Sequence, residues 1–224
     1  MTARAGGGSA FTTLVQLAPR LFSVLSSMRP TWQLASLDAL DQGFVAAQGI
    51  EGLIWDVDGT LTGDRCAALE PVAERPFRAL LSLGGVRHVI LSNASESRYR
   101  QLAELFPEVP VLRAYRHGGE VLYRRRRLDR DSWIPDDGAA RVARGARAIR
   151  KPSAILVEYA VRELGCRREA VVMIGDQYLT DVAGANLAGV RSVKLPTLAP
   201  ASFSRTARAA QGVERLLYRL FYRG

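Results

Sequence analysis

Four short stretches carry residues able to act on a substrate: Asp56-Val57-Asp58-Gly59-Thr60-Leu61-Thr62, Ser92-Asn93, Lys151-Pro152, and Gly175-Asp176-Gln177-Tyr178-Leu179-Thr180-Asp181. Gathered in one crevice, the carboxylates of Asp56, Asp58, Asp176 and Asp181 would repel one another and rise in pKa unless a cation joined them. An oxygen-only ligand set, with no histidine or cysteine in it, suits Mg²⁺. Phosphoryl transfer fits such a site, because it asks mainly for positioning and charge stabilisation. One carboxylate can attack phosphorus and form an aspartyl-phosphate. A second carboxylate two residues on can protonate the leaving oxygen and then take a proton from water. Gly59 permits the turn that would face both toward one site. The Ser92 hydroxyl and nearby backbone N–H groups can bind phosphate oxygens, and Lys151 offers a compact cation. Asn93 reads as a residue that caps or turns the backbone. Gln177 and Thr180 read as loop-orienting residues as readily as substrate contacts.

The elements that must position these residues follow from the apolar pattern. Short β-rich runs at 50–55, 86–91, 109–112, 170–174 and 191–195 alternate with helical patterns at 72–83, 95–106, 153–164 and 180–187. A further helix is expected after Ser36, which suits an N-cap. Strands alternating with helices argue an α/β fold, a Rossmann-like parallel sheet flanked by helices. In such a sheet the C-terminal ends of the strands line one crevice. Asp56, Ser92 and Asp176 each follow a predicted strand, and Lys151 stands before a predicted helix. His88 and Trp55 fall inside strands and read as core. Residues 113–150 break the alternation and read as a basic insertion, a hairpin plus a short helix. Residues 1–9 are glycine-rich and read as disordered.

The 224-residue chain has 31 basic and 22 acidic residues, a net charge of +9. The surplus is uneven, with 11 basic against 5 acidic residues at 113–150 and 11 against 6 at 151–224. Of the 31 basic residues only Lys151 and Lys194 are lysines. An excess of this kind invites an anionic partner, nucleic acid or a membrane surface. The run Arg124-Arg125-Arg126-Arg127 reads first as a solvated face. Residues 202–224 read as a basic amphipathic helix, either docked on the domain or lying on an anionic membrane. Two isolated cysteines, Cys66 and Cys166, make neither a disulfide framework nor a CxxC site, and point to a reducing cytosol. The apolar stretch 14–22 is broken by Pro19 and Arg20 and is too short to span a bilayer.

The four stretches, in this order, resemble the motifs of the haloacid dehalogenase-like (HAD) superfamily. The resemblance implies Mg²⁺-dependent phosphoryl transfer, with Asp56 as nucleophile, Asp58 as general acid/base, and Ser92 and Lys151 as phosphate binders. It also implies that Mg²⁺ is held by Asp56, the Asp58 backbone carbonyl and Asp176, with Asp181 adjoining. Gly175-Asp176-Gln177-x-x-Thr180-Asp181-Val182-x-Gly184-x-Asn186, the lead-in 48–54 and the tail Val213-Glu214-Arg215 resemble the YqeG-like branch of subfamily IIIA. That branch includes phosphatidylglycerophosphate phosphatases. Gly59 departs from it, standing where an Asn is usual, and residues 116–147 have no counterpart in it. Residues 63–91 leave no room for a cap domain, and the extra piece at 116–147 is too small for a large one, so an open site is expected. These features imply a phosphatase acting on phosphatidylglycerophosphate or another bulky phosphomonoester, cytoplasmic or peripheral on the inner membrane face. The alternative is a nucleic-acid-binding or end-processing protein using the arginine-rich insertion. The expected organisation is an N-terminal extension at 1–30 followed by one catalytic domain at 31–224.

Overall fold

The computed structural model describes residues 21–222 except 129. The glycine-rich start and most of the expected N-terminal extension lie outside the described residues. The central sheet follows the order β1-β9-β8-β2-β3-β4-β5-β6. Its parallel part comprises β1 (Trp32–Gln33), β9 (Arg191–Lys194), β8 (Val171–Gly175), β2 (Gly52–Trp55), β3 (Arg87–Ile90) and the start of β4 (Val111–His117). β2 is buried along its whole length, and its side chains alternate between two cores. Leu53 and Trp55 join one apolar cluster while Ile54 joins the other, and in β8 Val172 and Ile174 oppose Val171 and Met173 in the same way. A strand covered on both faces therefore reads as a continuous apolar run.

Helices cover both faces. α3 (Pro71–Leu81) begins with proline at its first turn, where no N–H bond is lost, and buries Ala73, Phe77 and Leu80. α4 (Glu96–Leu105) starts at Ser95, whose hydroxyl accepts from the Arg98 N–H at 3.3 Å. α6 (Ala154–Leu164) ends at left-handed Gly165. The helix expected after Ser36 instead forms in two pieces. A single 3₁₀ turn spans Leu37–Ala39, and α2 (Gln42–Ala47) follows, capped by Asp41, which accepts from the Phe44 N–H at 2.8 Å. Asp41 supplies the capping oxygen that Ser36 does not.

The sheet is longer than the parallel pattern implies. Gly118 and Gly119, both at positive φ, turn β4 back into β5 (Glu120–Arg127) in a two-residue hairpin. β6 (Arg130–Ile134) pairs with β5, α5 (Gly138–Ala143) follows, and β7 (Arg147–Ile149) returns antiparallel to β4. Residues 116–147 thus extend the sheet as an antiparallel arm. α1 (Leu21–Leu25), α7 (Ala183–Leu187) and α8 (Arg205–Tyr222) close the remaining side, where Val24, Met28, Tyr178 and Val182 form a third apolar cluster.

Candidate active site

The C-terminal ends of β8, β2 and β3 lie side by side, because β2 pairs with both neighbours in parallel register. Asp56 leaves β2, Asp176 leaves β8, and Ser92-Asn93 follow β3, so the crevice collects them as the α/β layout requires. Carboxylate oxygens of Asp56, Asp176 and Asp181 all lie within 4.8 Å of one another, and all three residues are buried. Lys151, in the turn before α6, reaches between them. Its Nζ donates to Asp56 Oδ1 at 2.5 Å and to Asp181 Oδ1 at 2.6 Å.

Local backbone explains how these groups meet. Gly59 has φ +95°, and a Cβ there would stand 2.8 Å from Asp176 Oδ2, so glycine serves both the turn and the close approach. Gly175 is equally constrained, since a Cβ would overlap the Asp181 carboxyl. The expected helix at 180–187 begins instead as a π-helical turn, Tyr178–Val182. That wider turn brings Asp181 back so that its Oδ2 accepts from the Gln177 N–H at 3.0 Å. Asn93 takes both main-chain groups of Lys151: Oδ1 accepts from the Lys151 N–H at 2.8 Å, and Nδ2 donates to the Lys151 carbonyl at 3.2 Å. On the other side Gly184 of α7 lets the Pro152 backbone approach closely. Lys151 is therefore gripped along its backbone before its side chain enters the crevice.

Three carboxylates converge there, not four. Asp58 turns aside: its Oδ1 accepts from Arg98 at 2.7 Å, from the Arg65 N–H at 3.1 Å and from Thr62 Oγ1 at 3.3 Å. Arg98, almost fully buried, also donates to the Cys66 carbonyl and to Gln101. Thr60 Oγ1 donates to Asp56 Oδ2 at 3.3 Å. Ser92 is half-buried at the crevice rim, and no side-chain hydrogen bond of its hydroxyl is found among the described residues. Gln177 and Thr180 bond to each other at 3.1 Å. Arg98 lies outside every motif stretch, while Thr60 and Asn93 fall within them without a pattern that assigns more than a turn role to Asn93 or any role to Thr60.

Electrostatics follow from burial. Burial, then the charge of Asp181, push Asp176 up to about 7. Burial also raises Asp56 well above the usual carboxylate range, against the pull of Lys151. Burial opposes the Lys151 charge, but Asp181 and Asp56 outweigh it and hold the amine protonated. Both Asp176 oxygens are buried without a hydrogen-bond partner among the described residues, although the Thr197 hydroxyl draws its pKa down somewhat. Orphaned carboxylate oxygens beside two further carboxylates call for a cation. The donor set fits a hard divalent ion such as Mg²⁺.

The arginine run at 124–127 is a solvated face only in part: Arg125 and Arg127 are exposed, whereas Arg124 is buried. Strand alternation turns Arg124 inward, where it bonds Asp131 and Glu96 at 2.5 Å. Arg126 pairs with Asp131, and Arg125 with Glu163. His88 lies in β3 with Nδ1 accepting from Trp55 Nε1 at 3.1 Å, which makes it a packing residue. The C-terminal helix docks on the domain: Tyr218 stacks on Tyr178 at 3.9 Å between ring centroids, and the buried Glu214 accepts from the Tyr178 N–H.

Residues 148–197 match the HAD-hydrolase-like family, a span that holds Lys151, Asp176 and Asp181. Among curated proteins none matches the chain. Two solved structures resemble it weakly. One, an uncharacterized protein from Listeria monocytogenes serotype 4b, is 17% identical, with a TM-score of 0.42, covering 76% of this chain and 99% of its own. The other, a 4-nitrophenylphosphatase from Thermotoga maritima, is 15% identical, with a TM-score of 0.30, covering 73% and 97%. At those scores neither bears on the function.

Proposed function

We propose that the chain is a Mg²⁺-dependent phosphomonoester hydrolase that works through an aspartyl-phosphate on Asp56. The observation that carries this reading is the buried Lys151 ammonium bridging Asp56 and Asp181 beside the partnerless Asp176 carboxylate. A cation fixed beside a carboxylate at a strand end is suited to receive a phosphate dianion. The match of residues 148–197 to a hydrolase family supports it. Asp56, Asp176 and the Asp58 backbone carbonyl would hold the ion, with Asp181 adjoining; Mg²⁺ supplies charge stabilisation to the phosphoryl oxygens.

The chain's own groups do the rest. Asp56 attacks phosphorus as the bond to the leaving oxygen breaks, and Asp58 gives that oxygen a proton. Water, losing a proton to Asp58, then attacks the aspartyl-phosphate and releases phosphate. Lys151 and Ser92 bind phosphate oxygens, and Lys151 offsets their charge. In the structure Asp58 is held aside by Arg98 at 2.7 Å, so its acid/base role requires that it leave Arg98 and rotate toward the leaving oxygen. Within the superfamily the reading narrows to the YqeG-like branch on the motif at 175–186 and the tail 213–215.

The substrate is read as a bulky phosphomonoester, phosphatidylglycerophosphate among the candidates. Two observations support that breadth. α3 fills the stretch where a cap would otherwise be inserted, and α8 exposes Val213, Leu216 and Leu220 beside Arg208, Arg215 and Arg219. Among the described residues no helix is long and apolar enough to cross a membrane. The test is release of phosphate from 4-nitrophenyl phosphate with Mg²⁺. Asp56→Asn should lower turnover by roughly 10³ or more, and wild-type turnover in that variant would overturn the nucleophile.

A further inference from the structure

The register of the antiparallel arm sorts charge between its two faces. On the side toward α6, Ala114 of β4, Tyr123 of β5 and Ile149 of β7 pack into one apolar cluster. Side chains alternate along a strand, so that same side carries Arg116 of β4, Arg125 and Arg127 of β5, Arg130 of β6 and Arg147 of β7. The two carboxylates of these strands, Glu120 and Asp131, point the other way, where Arg141 and Arg124 pair with them. The α6 side of the arm therefore carries five arginines and neither of the strands' acids.

Four of these arginines stand in like-charge pairs. Arg116 is directly opposite Arg147, and Arg127 is directly opposite Arg130. Like charges placed so destabilise a sheet. All four are exposed, and none forms an ion pair among the described residues. Only Arg125 has an acidic partner, Glu163 at 3.3 Å. Along β5 the two pairs lie six residues apart, roughly 20 Å. Between them sits Tyr123, with Ile134 opposite it on β6. Exposed Arg162 of α6 lays its guanidinium 4.6 Å from the centre of the Tyr123 ring. Two rows of cations thus flank an aromatic ring and a planar guanidinium. A phosphate backbone neutralises such rows, and bases stack on aromatic rings and guanidinium planes. A bilayer asks for several protruding apolar side chains, and on the strands of this face Ile134 is the one large aliphatic side chain that is exposed.

We propose that this face of the arm binds single-stranded nucleic acid, with phosphates on the two arginine pairs and bases against Tyr123 and Arg162. Residues 116–147 have no counterpart in the branch that the motifs resemble, so the surface is this chain's own addition.

The test is fluorescence anisotropy of a labelled 20-nucleotide oligouridine. It is read in EDTA and without turnover, so its outcome is separate from that of the phosphatase reading. The Kd should be about 10 μM or tighter in 50 mM NaCl and weaken about 50-fold by 200 mM, the loss that about four phosphate contacts produce. Arg116→Gln with Arg147→Gln, and Arg127→Gln with Arg130→Gln, should each weaken binding about tenfold. Both double variants lose a repulsion and should melt no lower than the parent; a lower melt would make these arginines structural and overturn the premise. Arg205→Gln with Arg208→Gln removes equal charge from α8, away from the arm, and should change the Kd less than about twofold. An abasic strand of the same length and charge should bind about fivefold more weakly or worse. A Kd weaker than about 100 μM for oligouridine overturns the proposal, as does an abasic strand that binds equally well or an equal loss in the α8 variant. Arginine-dependent sedimentation with phosphatidylglycerol vesicles, without binding of oligouridine, would assign the face to lipid instead.

Discussion

Replacing Lys151 with methionine removes one cation while keeping most of the apolar stem, and the geometry sets the cost. The side chain is 2% exposed, and its two carboxylate partners, Asp56 and Asp181, are 8% and 2% exposed at 2.5 and 2.6 Å. Breaking a buried pair by removing one partner costs about 3–5 kcal/mol, because a charge is left uncompensated. In a chain of this size about 1 kcal/mol moves the melting temperature by roughly 2–4 °C. Lys151→Met should therefore melt roughly 10 °C below the parent in EDTA. Mg²⁺ should raise the variant's melting temperature more than the parent's, because the ion replaces charge that the parent already carries. Lys151→Arg should not restore activity, since a planar fork cannot occupy the point between two carboxylates that an ammonium fills. Thermal melts followed by circular dichroism, with EDTA and with Mg²⁺, decide the matter. A drop smaller than about 3 °C in EDTA, or an equal gain from Mg²⁺ in both proteins, refutes the reasoning.

Two other outcomes can be checked without a substrate panel. Burial holds the His88 imidazole down at about 4, against its ordinary value of 6.5. A depressed pKa adds stability that is present above pH 6.5 and is lost as pH falls through 4; the total is about 3 kcal/mol. His88→Gln keeps an acceptor for Trp55 but cannot titrate, so its urea-denaturation midpoint should fall less than the parent's across that window; parallel curves would sink the idea. At Gly59, alanine meets both a φ of +95° and Asp176 Oδ2 at 2.8 Å. Gly59→Ala should cost about 1–3 kcal/mol and slow turnover roughly 10–100-fold, and an unchanged melt with unchanged turnover would show that the turn adapts.

Much of the site was legible because each of its parts sits within a few residues of a strand end. Asp56, Ser92 and Asp176 could be placed by strand prediction alone, and Lys151 by its rarity among 29 arginines. What stayed hidden were pairings between distant segments. Asp58 meets Arg98 across 40 residues, and Asn93 grips Lys151 across 58. No local pattern marks either. The arginine run was legible only in part for the same reason: Arg125 and Arg127 are exposed as expected, but Arg124 is not. Composition showed a basic block, whereas strand alternation aimed Arg124 at Glu96 and Asp131, whose positions only the hairpin and α4 could supply. The antiparallel arm was foreshadowed by Gly118-Gly119, but its attachment to β4 on both sides depends on sheet register, which no stretch of sequence carries alone.

The bond from the Tyr178 N–H of the π-helical turn to the Glu214 carboxylate of α8 has a consequence for biosynthesis. Asp56, Ser92, Lys151, Asp176 and Asp181 all leave the ribosome before α8 does, yet the turn that carries Asp181 is bonded at Tyr178 to a residue 36 positions later. A nascent chain halted before residue 214 would hold every reacting group while lacking the strut that fixes their last turn. Competence should therefore arrive abruptly with the final helix, and a stalled chain would carry a loose acidic crevice until α8 docks.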